Sequence, residues 1–300
     1  MALLNPPELR ASMMSVIVLY LAQCRGQRDE RTRIVDAISP PSLTESPQKH
    51  QLDARLNLAS AVEIGLAVRD GERVSLSPES IKAARRGTSA IAALVRRRVL
   101  SAELNTAAWG SQQGARDLTN ALSWYLTFRP ADAPARMEGD PPSVKSQQEA
   151  DFGPRQSEDD DRSGWPISNS TRWNTFQRWA CSLGFAWRSP SGRLIPDPTP
   201  AVRDSIPAIF ESESTLDGRS FVAALGAHLP VMESGAYRLF VERNWNRSSE
   251  PDGPLSSATT DALRRLETTG HLTFEDRADA PRITRPDGTT FSHVSRGGAR

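Results

Sequence analysis

The stretch Ser170–Pro198, STRWNTFQRWACSLGFAWRSPSGRLIPDP, constrains the fold more than any other part of the chain. Phe176, Trp179, Ala180 and Leu183 recur at three- and four-residue spacing, which places them on one face of a helix. Gly184 follows the last of them, where a left-handed residue ends a helix with the least steric conflict. Phe185-Ala186-Trp187 begins a strand, Ser189-Pro190-Ser191-Gly192 has turn chemistry, and Leu194-Ile195 returns. A helix, a glycine stop and a two-stranded hairpin form the second half of a winged helix, a member of the helix-turn-helix class.

The same pattern recurs on either side. A helix over Asp53–Ile64, with Leu52, Leu56, Ala59 and Val62 expected inward, runs into Gly65, and a hairpin turning at Asp70-Gly71 follows it. Two apolar-striped helices precede it, one carrying Met13, Val16, Ile17, Tyr20 and Leu21, the other Ile34, Val35 and Ile38. Later, Leu255–Thr269 reads as a helix with Leu263 and Leu266 inward, stopped by Gly270. A strand at Leu272-Thr273-Phe274 follows, with Arg282-Ile283-Thr284 as its expected return.

The fold expected is mostly α with small β-hairpin wings, in tandem winged-helix units. The divisions are a winged-helix domain over 1–78, a helical segment over 79–128, and a disordered linker over 129–164. A winged-helix-like unit over 165–212 and a C-terminal one over 213–300, with a flexible tail, complete the chain. The linker reading rests on few apolar residues, many prolines, and nine acidic against five basic side chains, ending in Glu158–Asp161. Such a segment buries too little to offset its conformational entropy.

Catalytic chemistry finds no footing. His50, His228, His271 and His293 are scattered, and Cys24 and Cys181 lie far apart, so zinc-ligand spacing is absent. There is no phosphate-binding glycine loop ending in Lys-Ser/Thr, no dinucleotide fingerprint and no Gly-x-Ser-x-Gly elbow. The Glu158–Asp161 carboxylates sit in the expected linker, where nothing fixes coordination geometry. The chain is therefore expected to be non-enzymatic, with no catalytic, cofactor or metal residues. Met13–Ala22 is apolar but about half the roughly 20 residues that span a bilayer, so no membrane association is expected. It also lacks the basic start of a signal peptide, and unpaired thiols suit a reducing cytoplasm.

The formal net charge of +1 gives no whole-chain polyanion signal, so any nucleic-acid contact must come from local patches. Arg172 and Arg178 lie on the central helix and Arg188 and Arg193 in its hairpin. Arg264 and Arg265 lie on the late helix, and Arg96, Arg97 and Arg98 lie within Glu79–Phe128, a segment with seven basic against three acidic side chains. Guanidinium groups at such places suit phosphate contact, since affinity for DNA derives largely from counterion release. They equally suit an ordinary solvated helix face. Trp173 and Trp187 can pack in a core or present a stacking or partner surface.

Four segments carry a family resemblance: LLNPPELRASMMSVIVLYL, WNTFQRWACSLGFAWRSPSGRLIPDPTPAV, LPVMESGAYR and LSSATTDALRRLETTGHLTFEDRADA. With them the chain resembles DpdG, a component of the bacterial Dpd cluster for 7-deazaguanine modification of DNA and restriction of foreign DNA. The resemblance implies an accessory role in antiviral and anti-plasmid defence beside helicase and nuclease components. It brings no catalytic motif. Three readings follow: a DNA-binding or partner-docking accessory protein, a protein-interaction scaffold without DNA contact, and a transcriptional regulator.

Overall fold

A computed structural model describes residues 2–43, 46–109, 113–154, 164–247 and 253–298. In chain order the elements begin with α1 (Ala11–Gln23), β1 (Arg28–Glu30), α2 (Arg31–Ile38), α3 (Pro47–Glu63), β2 (Ala67–Asp70) and β3 (Arg73–Leu76). Then come α4 (Pro78–Arg86), α5 (Thr88–Val99), α6 (Arg116–Tyr125), α7 (Val144–Phe152) and α8 (Ser170–Ser182). They continue with β4 (Ala186–Arg188), β5 (Leu194–Pro196), α9 (Thr199–Ile209), β6 (Thr215–Asp217), α10 (Gly218–His228) and α11 (Ala236–Glu242). The last are α12 (Ser257–Thr268), β7 (Leu272–Glu275), β8 (Ile283–Thr284), β9 (Thr290–Phe291) and β10 (His293–Arg296). The protein is mostly helical with small antiparallel sheets.

The chain divides into two compact units, one of residues 1–108, 112–116 and 171–183, the other of 109–111, 117–170 and 184–300. The division falls between Leu183 and Gly184, so the helix and the hairpin of the central motif belong to different units.

In the first unit α1 packs on α2 and α3, and β1, β3 and β2 form a sheet in that spatial order. Arg28 lies opposite Ser75 and Ala67 opposite Leu76, both pairings antiparallel. Met14, Ile17, Val18 and Leu21 of α1, Ile34 and Val35 of α2, and Leu66, Val74 and Leu76 are buried. α3 presents Ala54, Asn57, Leu58 and Ala61 inward, at helical spacing, and leaves Leu52 66% exposed. The expected face of α3 was therefore turned the wrong way. Small alanines let α3 approach α1, and a polar residue completes the contact. The Asn57 amide donates to the carbonyls of Glu8 (3.0 Å) and Asp53 (2.8 Å), and its oxygen accepts from the Arg10 N–H (3.0 Å). From α8 and the residue after it, Phe176, Trp179, Ala180 and Leu183 are buried as their spacing predicts, and Trp173 is buried with them.

The second unit builds a sheet in the order β6, β10, β7, with Asp217 and Glu275 both opposite His293. The expected return strand is corrected. β7 pairs with β10, while β8 pairs with β9 as a separate hairpin, Ile283 opposite Phe291. Val294 is fully buried at the sheet centre, and Phe291 meets Phe274 edge-on at 4.9 Å. α9 packs on α10 and α12, with Phe210 stacked on Phe221 at 5.9 Å, so it joins these two helices.

The segment expected to be a disordered linker carries α7 over part of its length. Ser143 caps that helix in a reciprocal pair with Ser146, and Gln148, fully buried, clamps Ile167. Its amide donates to the Ile167 carbonyl at 2.7 Å and its oxygen accepts from the Ile167 N–H at 2.8 Å. The Glu158–Asp161 run lies outside the described residues.

The three glycine stops take left-handed backbone, with φ of 75° at Gly65, 77° at Gly184 and 72° at Gly270. At Gly65 and Gly270 the ends are Schellman motifs. Leu66 N–H reaches the Ala61 carbonyl and Gly65 N–H that of Val62, while His271 and Gly270 repeat this on Leu266 and Glu267.

Candidate nucleic-acid interface

α12 has a braced N-terminal cap. Ser256 caps it, accepting from the Thr259 N–H at 3.3 Å. Glu233 braces the cap, accepting from the Ser256 N–H at 2.8 Å and the Thr259 hydroxyl at 2.6 Å. Ala262, Leu263 and Leu266 face the core. Burial alone would push the Glu233 carboxyl up, yet the Arg238 guanidinium and the bonds from Ser256 and Thr259 outweigh it. The net effect holds the group below the ordinary glutamate range. A carboxyl depressed in the folded state adds stability above its unfolded pKa and loses it as pH falls through the folded pKa. Thermal melts from neutral pH down to about pH 3 are therefore expected to fall more steeply for wild type than for Glu233→Gln. Parallel falls in the two proteins would remove this role.

The arginines around α12 are held by carboxylates. Arg264 pairs with Asp287 and Arg265 with Asp197. Arg277 meets Glu275 at 2.8 Å and Arg282 meets Asp276 at 2.8 Å. Arg285 is buried, its guanidinium 5.0 Å from the Phe274 ring centre and 4.8 Å from that of Phe291. It packs the hairpin and does not face solvent.

In the first unit, α3 turns Lys49, His50, Leu52, Arg55, Ala59 and Glu63 outward. The β2–β3 hairpin adds a half-exposed Val68 and the pair Arg69–Glu72 at 3.6 Å. This face mixes apolar and balanced charged groups.

The remaining sequence candidates scatter. Arg96 is buried and donates to the Leu183 carbonyl at 2.9 Å, and Arg172 is buried in α8. Neither is available at a surface. Arg97 and Arg98 both reach Glu79, at 3.7 and 3.4 Å. Arg178 donates to the carbonyls of Asn174 and Pro7, each at 3.2 Å. Arg193 donates to the carbonyls of Pro130, Ala131 and Ala133. Arg188 is exposed on β4. Trp173 is buried and stacks on Phe176 at 5.6 Å, whereas Trp187 is 44% exposed. Sequence reasoning missed Arg10, Lys49 and His50, which line one groove with Arg178. The adjacent Lys49-His50 was a visible signal, but the buried Asn57 bridge that holds Arg10's segment to α3 was not.

Among the described residues no group of three or more His, Cys, Asp or Glu is placed to hold a metal ion, and no helix is long and apolar enough to cross a membrane. The architecture defines a mostly helical protein with small antiparallel sheets. The chain belongs to the DpdG-like family, whose model matches residues 1–280. No curated protein and no solved structure matches it.

Proposed function

We propose that the chain is a non-enzymatic accessory component of a Dpd-type DNA modification and restriction system, acting through winged-helix units that bind DNA or dock partners onto it. One observation carries the reading. Each unit contains the run helix, strand, helix, helix, strand, strand, and in each three-stranded sheet the last strand lies between the first and the middle one, as β1-β3-β2 and β6-β10-β7. In the second unit α11 and the β8–β9 hairpin are additions to that order. Membership of the DpdG-like family supports placing the chain in the Dpd system; helicase or nuclease components as its partners are part of the proposal. In such units the third helix enters the major groove and the hairpin follows the backbone, which assigns those tasks to α3 and α12.

Duplex DNA binding measured across a salt series tests the reading. The full chain, alone or with partner proteins, is expected to bind with an affinity that falls as salt rises. Absence of any salt-dependent affinity removes the DNA half of the reading. A second reading, docking of proteins, is favoured by the ion-paired arginines around α12 and by exposed Leu43, Leu52 and Val68 in the first unit. It expects Leu52→Glu to abolish co-purification with partners in a chain that shows no duplex affinity of its own.

A further inference from the structure

Arg264, Arg265, Arg277 and Arg282 each hold a carboxylate, which leaves little free cationic charge around α12. One groove in the first unit is arranged differently. It has a volume of about 330 Å³ and is lined by Glu8, Arg10, Lys49, His50, Asp53 and Arg178, among others. Its cations come from three separate places in the chain. Asn57 ties the segment carrying Glu8 and Arg10 to α3, which sets Arg10 beside Lys49 and His50. Arg178 arrives from α8 and is steadied by the Pro7 carbonyl at 3.2 Å. Arg10, Lys49 and His50 are exposed, and among the described residues their side chains make no ion pair or hydrogen bond.

The groove offers two exposed permanent cations, Arg10 and Lys49, with Glu8 and Asp53 in the same lining. So few cations suit a singly charged phosphodiester better than a free polyphosphate, which brings several charges. Guanidinium and ammonium groups are what phosphate oxygens accept from most strongly. We propose that this groove holds one backbone phosphate of duplex DNA, an inference that rests on the DNA-binding reading above. A phosphate fixed beside the first turns of α3 would set that helix's register on the duplex without reading sequence.

Anisotropy of a short labelled duplex with the full chain, between about 50 and 200 mM salt, tests this. Lys49→Glu and Arg10→Glu alter exposed side chains and leave the Asn57 bonds in place. Each is expected to weaken binding about tenfold at low salt and to make the log–log salt slope shallower by about one. Lys49→Arg is expected to keep wild-type affinity, and Arg277→Glu, whose arginine is already paired, to change the slope little. Thermal melts check folding, and Lys49→Gln replaces any variant that melts early, with the same loss of slope expected. Unchanged affinity and slope in both charge-reversed variants would overturn the groove assignment while leaving DNA binding standing. A wild-type chain that binds no duplex at any salt overturns the DNA reading itself. If inorganic phosphate then protects wild type but not Lys49→Glu against heat, the groove takes free phosphate and the duplex is removed from the proposal.

Discussion

Asp151→Ala is expected to destabilise the second unit by about 3–5 kcal/mol, the range for breaking a buried ion pair by removing one partner. Asp151 is 4% exposed, and both of its oxygens are committed. Arg247 donates to one through Nε at 2.6 Å and to the other through Nη2, and the fully buried Trp124 indole N–H donates at 2.7 Å. Arg247 is itself held by the Thr127 hydroxyl at 3.1 Å and lies over the rings of Phe128 and Trp245, 5.2 and 4.9 Å from their centres. Alanine would leave an indole N–H and a half-buried guanidinium without their acceptor. Asp151→Asn keeps one acceptor and is expected to lose less. Urea melts followed by tryptophan fluorescence measure both variants. A loss of about 0.5 kcal/mol or less for the alanine variant, as for an ordinary surface change, would refute the buried pair. Because the carboxylate is buried, the effect is expected to change little with added salt.

That network also explains why α7 was not legible in the sequence. Residues 129–164 offer few apolar side chains, and composition measures only apolar burial. The order of this segment comes from polar groups instead: the Ser143 cap, the Gln148 clamp on Ile167, and Asp151 against Trp124 and Arg247. The Gln148 clamp and the Asp151 contacts have partners far away in sequence, so no local pattern announces them. The glycine stops were legible because the signal is local: a helix-ending glycine with positive φ needs no distant partner. The buried face of α3 failed for the opposite reason. Leucine spacing pointed to Leu52 and Leu56, but close packing there uses Ala54, Leu58 and Ala61 with a polar bridge at Asn57.

The arginine candidates show the same limit for charge. Sequence counts cations but not their partners. Arg264 and Arg265 sit on the helix where groove contacts were expected, yet Asp287 and Asp197 meet them there, from positions far away in the chain. Arg96 was read as part of a basic cluster, but its guanidinium serves a helix-end carbonyl, that of Leu183. A patch is defined by the charge left over after pairing. By that measure the groove with Arg10, Lys49 and His50 is a stronger candidate than the denser arginine runs.

Two tryptophans from the central motif should separate packing from contact. Trp179 is fully buried in the first unit and Trp187 is 44% exposed in the second. Trp179→Ala removes a large side chain from a close-packed core and is expected to destabilise that unit by about 3–5 kcal/mol. The indole N–H of Trp179 is buried without a hydrogen-bond partner, so Trp179→Phe removes an unsatisfied donor while keeping most of the apolar volume. Its loss is therefore expected to be much smaller than that of the alanine variant. Trp187→Ala is expected to stay within about 0.5 kcal/mol of wild type, as exposed changes do. Thermal and urea melts of the three variants decide the matter. Equal stabilities for Trp179→Ala and Trp187→Ala would contradict the burial assigned to Trp179. A Trp187→Ala chain of wild-type stability that no longer retains its partners would make that ring a contact surface, leaving Trp179 to the core.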